Sequence, residues 1–194
     1  MRFSKSEILA TFEREERSYR LALLCSHYIR DVERYQPNAA DLASKLSMKV
    51  EDRYVNFTDL SGPLSDALGR ERLSSEVLVT HLHTLIRAPY ELLDDYCQDY
   101  QNSMPTRQLR DEMRSQDWHP IASIIRNAVS HNFRLKLDRV RNKLPLTWRT
   151  ITISADMDGQ PLSSMTFWHK PGYELFLEMQ AFAEALPELP PKQP

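Results

Sequence analysis

The sequence predicts a mostly helical bundle carrying one β-hairpin before its last helix. Three observations lead there. Glycine occurs only 4 times in 194 residues, too rarely for the turn-rich all-β classes. Long apolar stripes recur at helical spacing, and only the stretch at about 147–169 changes to a two-residue period. At this length residues 1–186 read as one folding unit with a core of its own, and the Pro-rich tail 187–194 as disordered.

The elements follow in order. Ser4 and Glu7 have the spacing of a capping box, and Ile8, Phe12, Tyr19, Leu23 and Ile29 continue as a helical stripe, so a first helix is expected to about Arg34, before Pro37. A shorter helix follows from Asn38 to about Met48. Val50 to Arg72, with Gly62, Pro63 and Gly69, reads as a loop with one helical turn at most. From Ser74 a second long stripe runs through Leu78, Leu82, Leu85, Ile86, Leu93 and Cys97 to Tyr100, and Pro89 within it predicts a kink or break. Met104-Pro105-Thr106 opens a short charged helix to about Ser115. Pro120 suits the first turn of the next helix, in which Ile121, Ile124, Ile125, Ala128 and Val129 fit the i, i+3, i+4, i+7, i+8 template. Trp148 to Ser154 and Met165 to His169 read as the two strands of the hairpin, with Asp158-Gly159 as a turn signal. Gly172 to about Leu186 closes the bundle.

The chain carries 25 basic and 27 acidic residues, a formal net charge of −2, so overall charge does not announce nucleic acid. The charged start offers no apolar segment for secretion, and the apolar patch Leu21 to Cys25 is too short to cross a bilayer; a cytoplasmic address without membrane contact is expected. Cys25 and Cys97 fall in helical patterns and read as buried thiols.

Arg126-Asn127-Ala128-Val129-Ser130-His131 carries the chemistry. Metal-free RNA cleavage needs a base for the 2′-hydroxyl proton, an acid for the leaving 5′-oxygen, and positive charge on the phosphorane-like transition state. A histidine near its ordinary pKa of about 6.5 performs either transfer, an arginine offers phosphate a forked donor, and Asn127 could orient the histidine or the backbone. In a regular helix Arg126 and Asn127 lie on opposite shoulders of the polar side, with His131 about 140° around from Arg126 and about 7.5 Å along the axis. One copy therefore does not focus both groups on one phosphate, unless the helix ends near His131; two copies facing across a twofold axis would. From the residues alone a plain alternative stays open, in which Arg126 and Asn127 are solvated and His131 is a helix-terminal cation.

The Arg-Asn-x-x-x-His pattern on a late helix resembles the signature of the HEPN domain superfamily, over the helical portion from the first helix through the motif, and the chain looks similar to plasmid-borne or phage-defence members. That resemblance implies a helical bundle of HEPN type and a metal-independent RNA endonuclease that acts in defence or as a toxin. Its catalytic residues would be Arg126, Asn127 and His131 at a homodimer interface, with no cofactor and with an antitoxin or defence-system protein as partner. The alternative is a non-catalytic HEPN module binding RNA or a protein partner. HEPN toxins modified by nucleotidyltransferase antitoxins often carry a tyrosine two positions after the histidine; Phe133 stands there and has no hydroxyl to modify.

Downstream, Arg134, Lys136, Arg139, Arg141, Lys143 and Arg149 face one acid, Asp138, a local excess that reads as an RNA-backbone guide or, more plainly, a solvated basic face. Arg114 and His119 repeat the Arg-to-His spacing but lack the Asn and precede the predicted helix, so they serve as a decoy. His81 and His83 lie about 200° apart on a helix and cannot easily share a metal. Glu91, Asp94, Asp95 and Asp99 read as a solvent-facing acidic face. No metal is expected.

Overall fold

Ser4 opens the first helix by reciprocal capping: its backbone N–H donates to Glu7 Oε2 at 2.7 Å, and its Oγ accepts the Glu7 N–H at 3.2 Å. The computed structural model describes residues 3–130, 133–162, 167 and 169–189. The expected class holds, since most of the chain is helical. It divides into two compact units, Ser18–His81 and a second made of Met1–Arg17 with Leu82–Pro194. The helices α1 (Lys5–Arg30) and α5 (Ala67–Ser103) contribute to both.

In the Ser18–His81 unit, α2 (Val32–Tyr35) and α3 (Ala39–Lys45) lead into a hairpin of β1 (Ser47–Val50) and β2 (Arg53–Asn56), then α4 (Ser61–Ser65). The hairpin corrects the reading of this segment as helix end and loop. Ser47 pairs with Asn56 and Val50 with Arg53 around Glu51-Asp52, and Glu51 holds φ +52°. No Asn-Gly or Asp-Gly marks this turn, and every strand residue is exposed, so neither usual signal was present. The first helical stripe also fades here: Tyr19 is buried, while Leu23 is exposed. Cys25 is exposed as well, against expectation, because it falls outside that buried stripe. Buried Arg70 anchors the unit, donating from Nη1 to Glu33 Oε1 at 2.6 Å and to the Leu64 carbonyl at 3.0 Å.

In the other unit, α5 continues through Pro89 without a break. Proline removes one helical bond and costs about 3 kcal/mol. Buried Leu82, Leu85 and Ile86 before it, and Leu93, Tyr96 and Cys97 after it, more than offset that. Burial pushes the Cys97 thiol up to about 12, as expected for an inert core cysteine. The helix α6 (Leu109–Arg114) buries Leu109 and Met113. Next, α7 (His119–Ser130) buries Ile121, Ala122, Ile124, Ile125 and Ala128. The closing helix α8 (His169–Ala185) meets α1 through Phe12 and Phe176, whose rings lie 5.3 Å apart. At Gly172 a Cβ would fall 2.3 Å from Leu82 Cδ1, so any side chain there requires the buried Leu82 to shift. Tyr96 donates to the Pro187 carbonyl at 2.6 Å, so the tail expected to be disordered is tied at its start; residues 190–194 lie outside the described residues.

A two-stranded hairpin lies before the last helix, but with other strands than expected. The first predicted strand folds on itself: β3 (Leu146–Trp148) pairs with β4 (Ile151–Ile153), Leu146 opposite Ile153, around Arg149 at φ +51°. Arg149 holds this glycine-like conformation while its guanidinium binds Glu174 and Glu178. Of the second predicted strand only Phe167 and His169 are described, and neither is in a strand. Phe167 lies in a bend, His169 begins α8, and Met165, Thr166 and Trp168 lie outside the described residues. Gly159 does turn the chain, at φ +75°, but against residues 133–137.

His83 is buried to 2% exposure against Phe133, ring centroids 4.6 Å apart, and its Nδ1 has no hydrogen-bond partner. Desolvation lowers its pKa from 6.5 to about 4. An unfolded histidine takes up its proton near 6.5, so this contribution to stability is complete above that pH and is lost as pH falls towards 4. The thermal midpoint should therefore drop between pH 6.5 and 4, and His83→Leu should flatten that drop; an unchanged midpoint-against-pH curve would contradict the assignment.

Candidate functional site

The rotation of α7 is set by its buried face, and this turns His119, Ser123, Arg126 and Asn127, at i, i+4, i+7 and i+8, onto one opposite stripe. All four line an open cleft of about 730 Å³. Across from them α5 contributes Tyr90, Glu91, Asp94 and Asp95, α6 contributes Arg110 and Arg114, and the segment after α7 contributes Lys136 and Arg139. A smaller recess of about 280 Å³ is bounded by Arg126, Asn127, Lys136, Asp138 and Arg139.

Arg126 and Asn127, expected on opposite shoulders, are hydrogen-bonded: Arg126 Nη1 donates to Asn127 Oδ1 at 3.1 Å. Arg126 Nε donates to Glu91 Oε1, also at 3.1 Å. This pair is more than one-third exposed on both sides, where ion pairs contribute up to about 1 kcal/mol. An incoming phosphate can therefore take over the guanidinium. His131, the third residue of the motif, lies outside the described residues, as does Asn132.

Asp158 organises the basic segment. Its Oδ1 accepts the Leu137 N–H at 2.9 Å and its Oδ2 accepts from Arg141 at 3.0 Å, while Leu135 bonds the Gly159 and Gln160 backbone. The Leu137 N–H, then Arg141, hold the Asp158 carboxyl below its ordinary pKa. The six basic residues expected to guide RNA thus separate. Arg134 donates to the Gly159 carbonyl at 2.9 Å, and Arg141 is held by Asp158 and more loosely by Asp138. Lys136 and Arg139 line the cleft, and Lys143 lies in a 3₁₀ turn, Arg141–Lys143, with its charge felt at His119. Arg149 binds Glu178 and Glu174.

The acidic face of α5 is not simply solvated. Arg110 grips Asp94 with two bonds of 2.7 Å, and Glu91 takes both Arg126 and Arg87. Five cations then face three carboxylates in the cleft, leaving it net positive in a chain of net charge −2. Among the described residues no group of three or more His, Cys, Asp or Glu is arranged to hold a metal, and no helix is long and apolar enough to cross a membrane.

The supposed decoy lines the same cleft. Arg114 ends α6, and His119, expected before the helix, is the first residue of α7. His119 Nε2 and the Tyr90 hydroxyl are 3.0 Å apart. Desolvation lowers its pKa to about 4; Asp94 opposes this, and Arg114, Lys143 and Arg110 add to it. The imidazole is uncharged at neutral pH. Trp118 beside it is buried against Phe182 and offers no face for base stacking. The signal that would have found His119 and Ser123 was legible: they complete the polar stripe complementary to the apolar one. Tyr90, five positions before Asp95 on another helix, had no such signal.

No family model matches the chain, and neither a curated protein nor a solved structure matches it.

The geometry ranks the basic residues. With single-stranded RNA as the polyanion, Arg139→Ala should reduce the slope of log K against log salt by about 0.7, the value of one phosphate contact. Arg141→Ala, which loses only a carboxylate-bound guanidinium, should leave the slope near that of the native protein. Binding titrations between 50 and 200 mM salt check this, and equal effects would contradict the division.

Proposed function

We propose that the chain is a metal-independent RNA endonuclease of HEPN type, working as a homodimer. One observation carries the reading: α7 presents Arg126 and Asn127, already hydrogen-bonded together, to a net positive cleft shared with Lys136 and Arg139. Such a cleft suits a phosphodiester backbone, since arginine and lysine neutralise its charge and a forked guanidinium matches two phosphate oxygens. Arg126 would stabilise the charge that develops on phosphorus, Asn127 would hold the Arg126 fork, and His131 would transfer a proton. A role in defence or as a toxin, in the cytoplasm and with an antitoxin or defence-system protein as partner, belongs to this proposal through the resemblance of the motif alone. The Arg126–Glu91 pair favours a second reading, a non-catalytic module that binds RNA or a protein partner, because the arginine is occupied at rest.

Purified protein should cleave single-stranded RNA in EDTA and leave 2′,3′-cyclic phosphate ends. His131→Ala should lower the rate by about 10²- to 10⁴-fold, and Arg126→Lys should also be harmful because a point charge does not replace the fork. Light scattering should report a dimer at micromolar concentration. Binding without cleavage would select the second reading, and activity that is lost on chelation and restored by magnesium would overturn the metal-free mechanism.

A further inference from the structure

We infer that His119 is a second proton-transfer residue of the cleft, the base that accepts the 2′-hydroxyl proton of RNA, and that Tyr90 is its positioning residue. The inference rests on the ribonuclease reading above and adds a proton acceptor within the same chain, since cleavage by 2′-hydroxyl attack needs two proton transfers and each copy of the Arg-Asn-x-x-x-His motif holds one histidine.

The geometry supports the role in three ways. His119 lines the cleft with Arg126 and Asn127, from the same helix stripe, so the imidazole and the proposed phosphate-binding fork share one solvent space. Its ring is fixed: Nε2 lies 3.0 Å from the Tyr90 hydroxyl, and the two rings pack with centroids 5.6 Å apart. Tyr90 is itself 8% exposed, and burial raises its pKa, so the phenol stays protonated and acts as a fixed hydrogen-bonding post. In the tautomer whose Nε2–H donates to the Tyr90 oxygen, Nδ1 keeps a free lone pair.

Desolvation, with the surrounding charge, decides between base and acid. The groups facing His119 are Tyr90 and Asp94 from α5, Arg110 and Arg114 from α6, and Lys143 from the 3₁₀ turn. Desolvation first, with Arg114, Lys143 and Arg110 adding to it against Asp94, keeps the imidazole neutral, and a neutral imidazole has no proton to spare for a leaving group but can accept one. The 2′-oxygen bonds to phosphorus as its proton passes to Nδ1 of His119, the bond from phosphorus to the 5′-oxygen breaks, and that oxygen leaves with a proton from the acid that the reading above assigns to His131. The products are a 2′,3′-cyclic phosphate and a free 5′-hydroxyl.

The test compares native protein, His119→Gln, His131→Ala and Tyr90→Phe on short RNA in EDTA and on uridine 3′-(4-nitrophenyl phosphate), whose leaving group needs no acid. His119→Gln should lose about 10²- to 10⁴-fold in kcat/KM on both substrates while binding cleavage-resistant 2′-O-methyl RNA as the native protein does. His131→Ala should lose far more on RNA than on the nitrophenyl ester. Native activity should persist at pH 5, where an ordinary histidine base is protonated. Tyr90→Phe keeps the ring and removes the acceptor that favours the imidazolium, so the acid limb of its pH–rate profile should move to lower pH, with a rate loss of about five- to tenfold. Should His119→Gln fail to fold, this limb decides: an unmoved limb overturns the proposal. Native-like rates in a folded His119→Gln protein, or recovery of that variant on the nitrophenyl ester, overturn it while leaving the ribonuclease reading intact. Native protein that binds RNA and never cleaves it overturns both.

Discussion

Everything at the cleft depends on one constraint, the burial of the apolar face of α7. Ile121, Ile124, Ile125 and Ala128 are each at most 2% exposed. Full burial of an isoleucine contributes about 1.5–3 kcal/mol, so rotating the helix by even one position would expose several such side chains at once. The opposite stripe, from His119 to Asn127, is therefore aimed by hydrophobic packing and not by any polar contact of its own. A helix with the same four polar residues but a weaker apolar face would present them to no fixed place.

The polar contacts divide by strength along the same line. Arg110 is bound by two short bonds to Asp94, both partners mostly covered, and it reads as part of the wall. Arg126 shares Glu91 with Arg87 in a more open setting and holds a weaker grip on its partner. Lys136 and Arg139 owe their positions to backbone bonds and to Asp158, which spends its two oxygens on Leu137 and Arg141. The cleft thus has fixed cations, exchangeable cations and cations without a carboxylate, in that order of availability to an anion.

How much of this was legible in the sequence follows from the same physics. The long buried stripes were, because α5 and α7 repeat apolar residues at a helical period strong enough to override Pro89. The capping box at Ser4 was, because it is local. The hairpins were read poorly: β1 and β2 are fully exposed and leave no alternation, and β3 and β4 turn at Arg149 in place of a glycine. At the cleft, the sequence marks Arg126, Asn127, Lys136 and Arg139 but not Arg114 and His119, because spacing along one helix is legible in a sequence and contacts between helices are not. Tyr90 and His119 are 29 positions apart in sequence. The basic stretch misled in the opposite sense: counting charge could not show that Arg134, Arg141 and Arg149 are held by backbone oxygens or carboxylates.

His119 shows what this arrangement does to a titrating group. Loss of solvent disfavours its proton most, Arg114, Lys143 and Arg110 add to that, and Asp94 favours the proton. An anion entering the cleft reverses the sign of the local field, because it screens those same cations and adds a negative charge of its own. Proton and anion then bind with positive linkage: whatever occupies the cleft raises the affinity of His119 for a proton, and by reciprocity a protonated His119 raises the affinity for the anion. On the proposed ribonuclease reading, a base kept neutral when the cleft is empty would become a better base once a phosphodiester is bound, at the stage when its substrate is present to give the proton up.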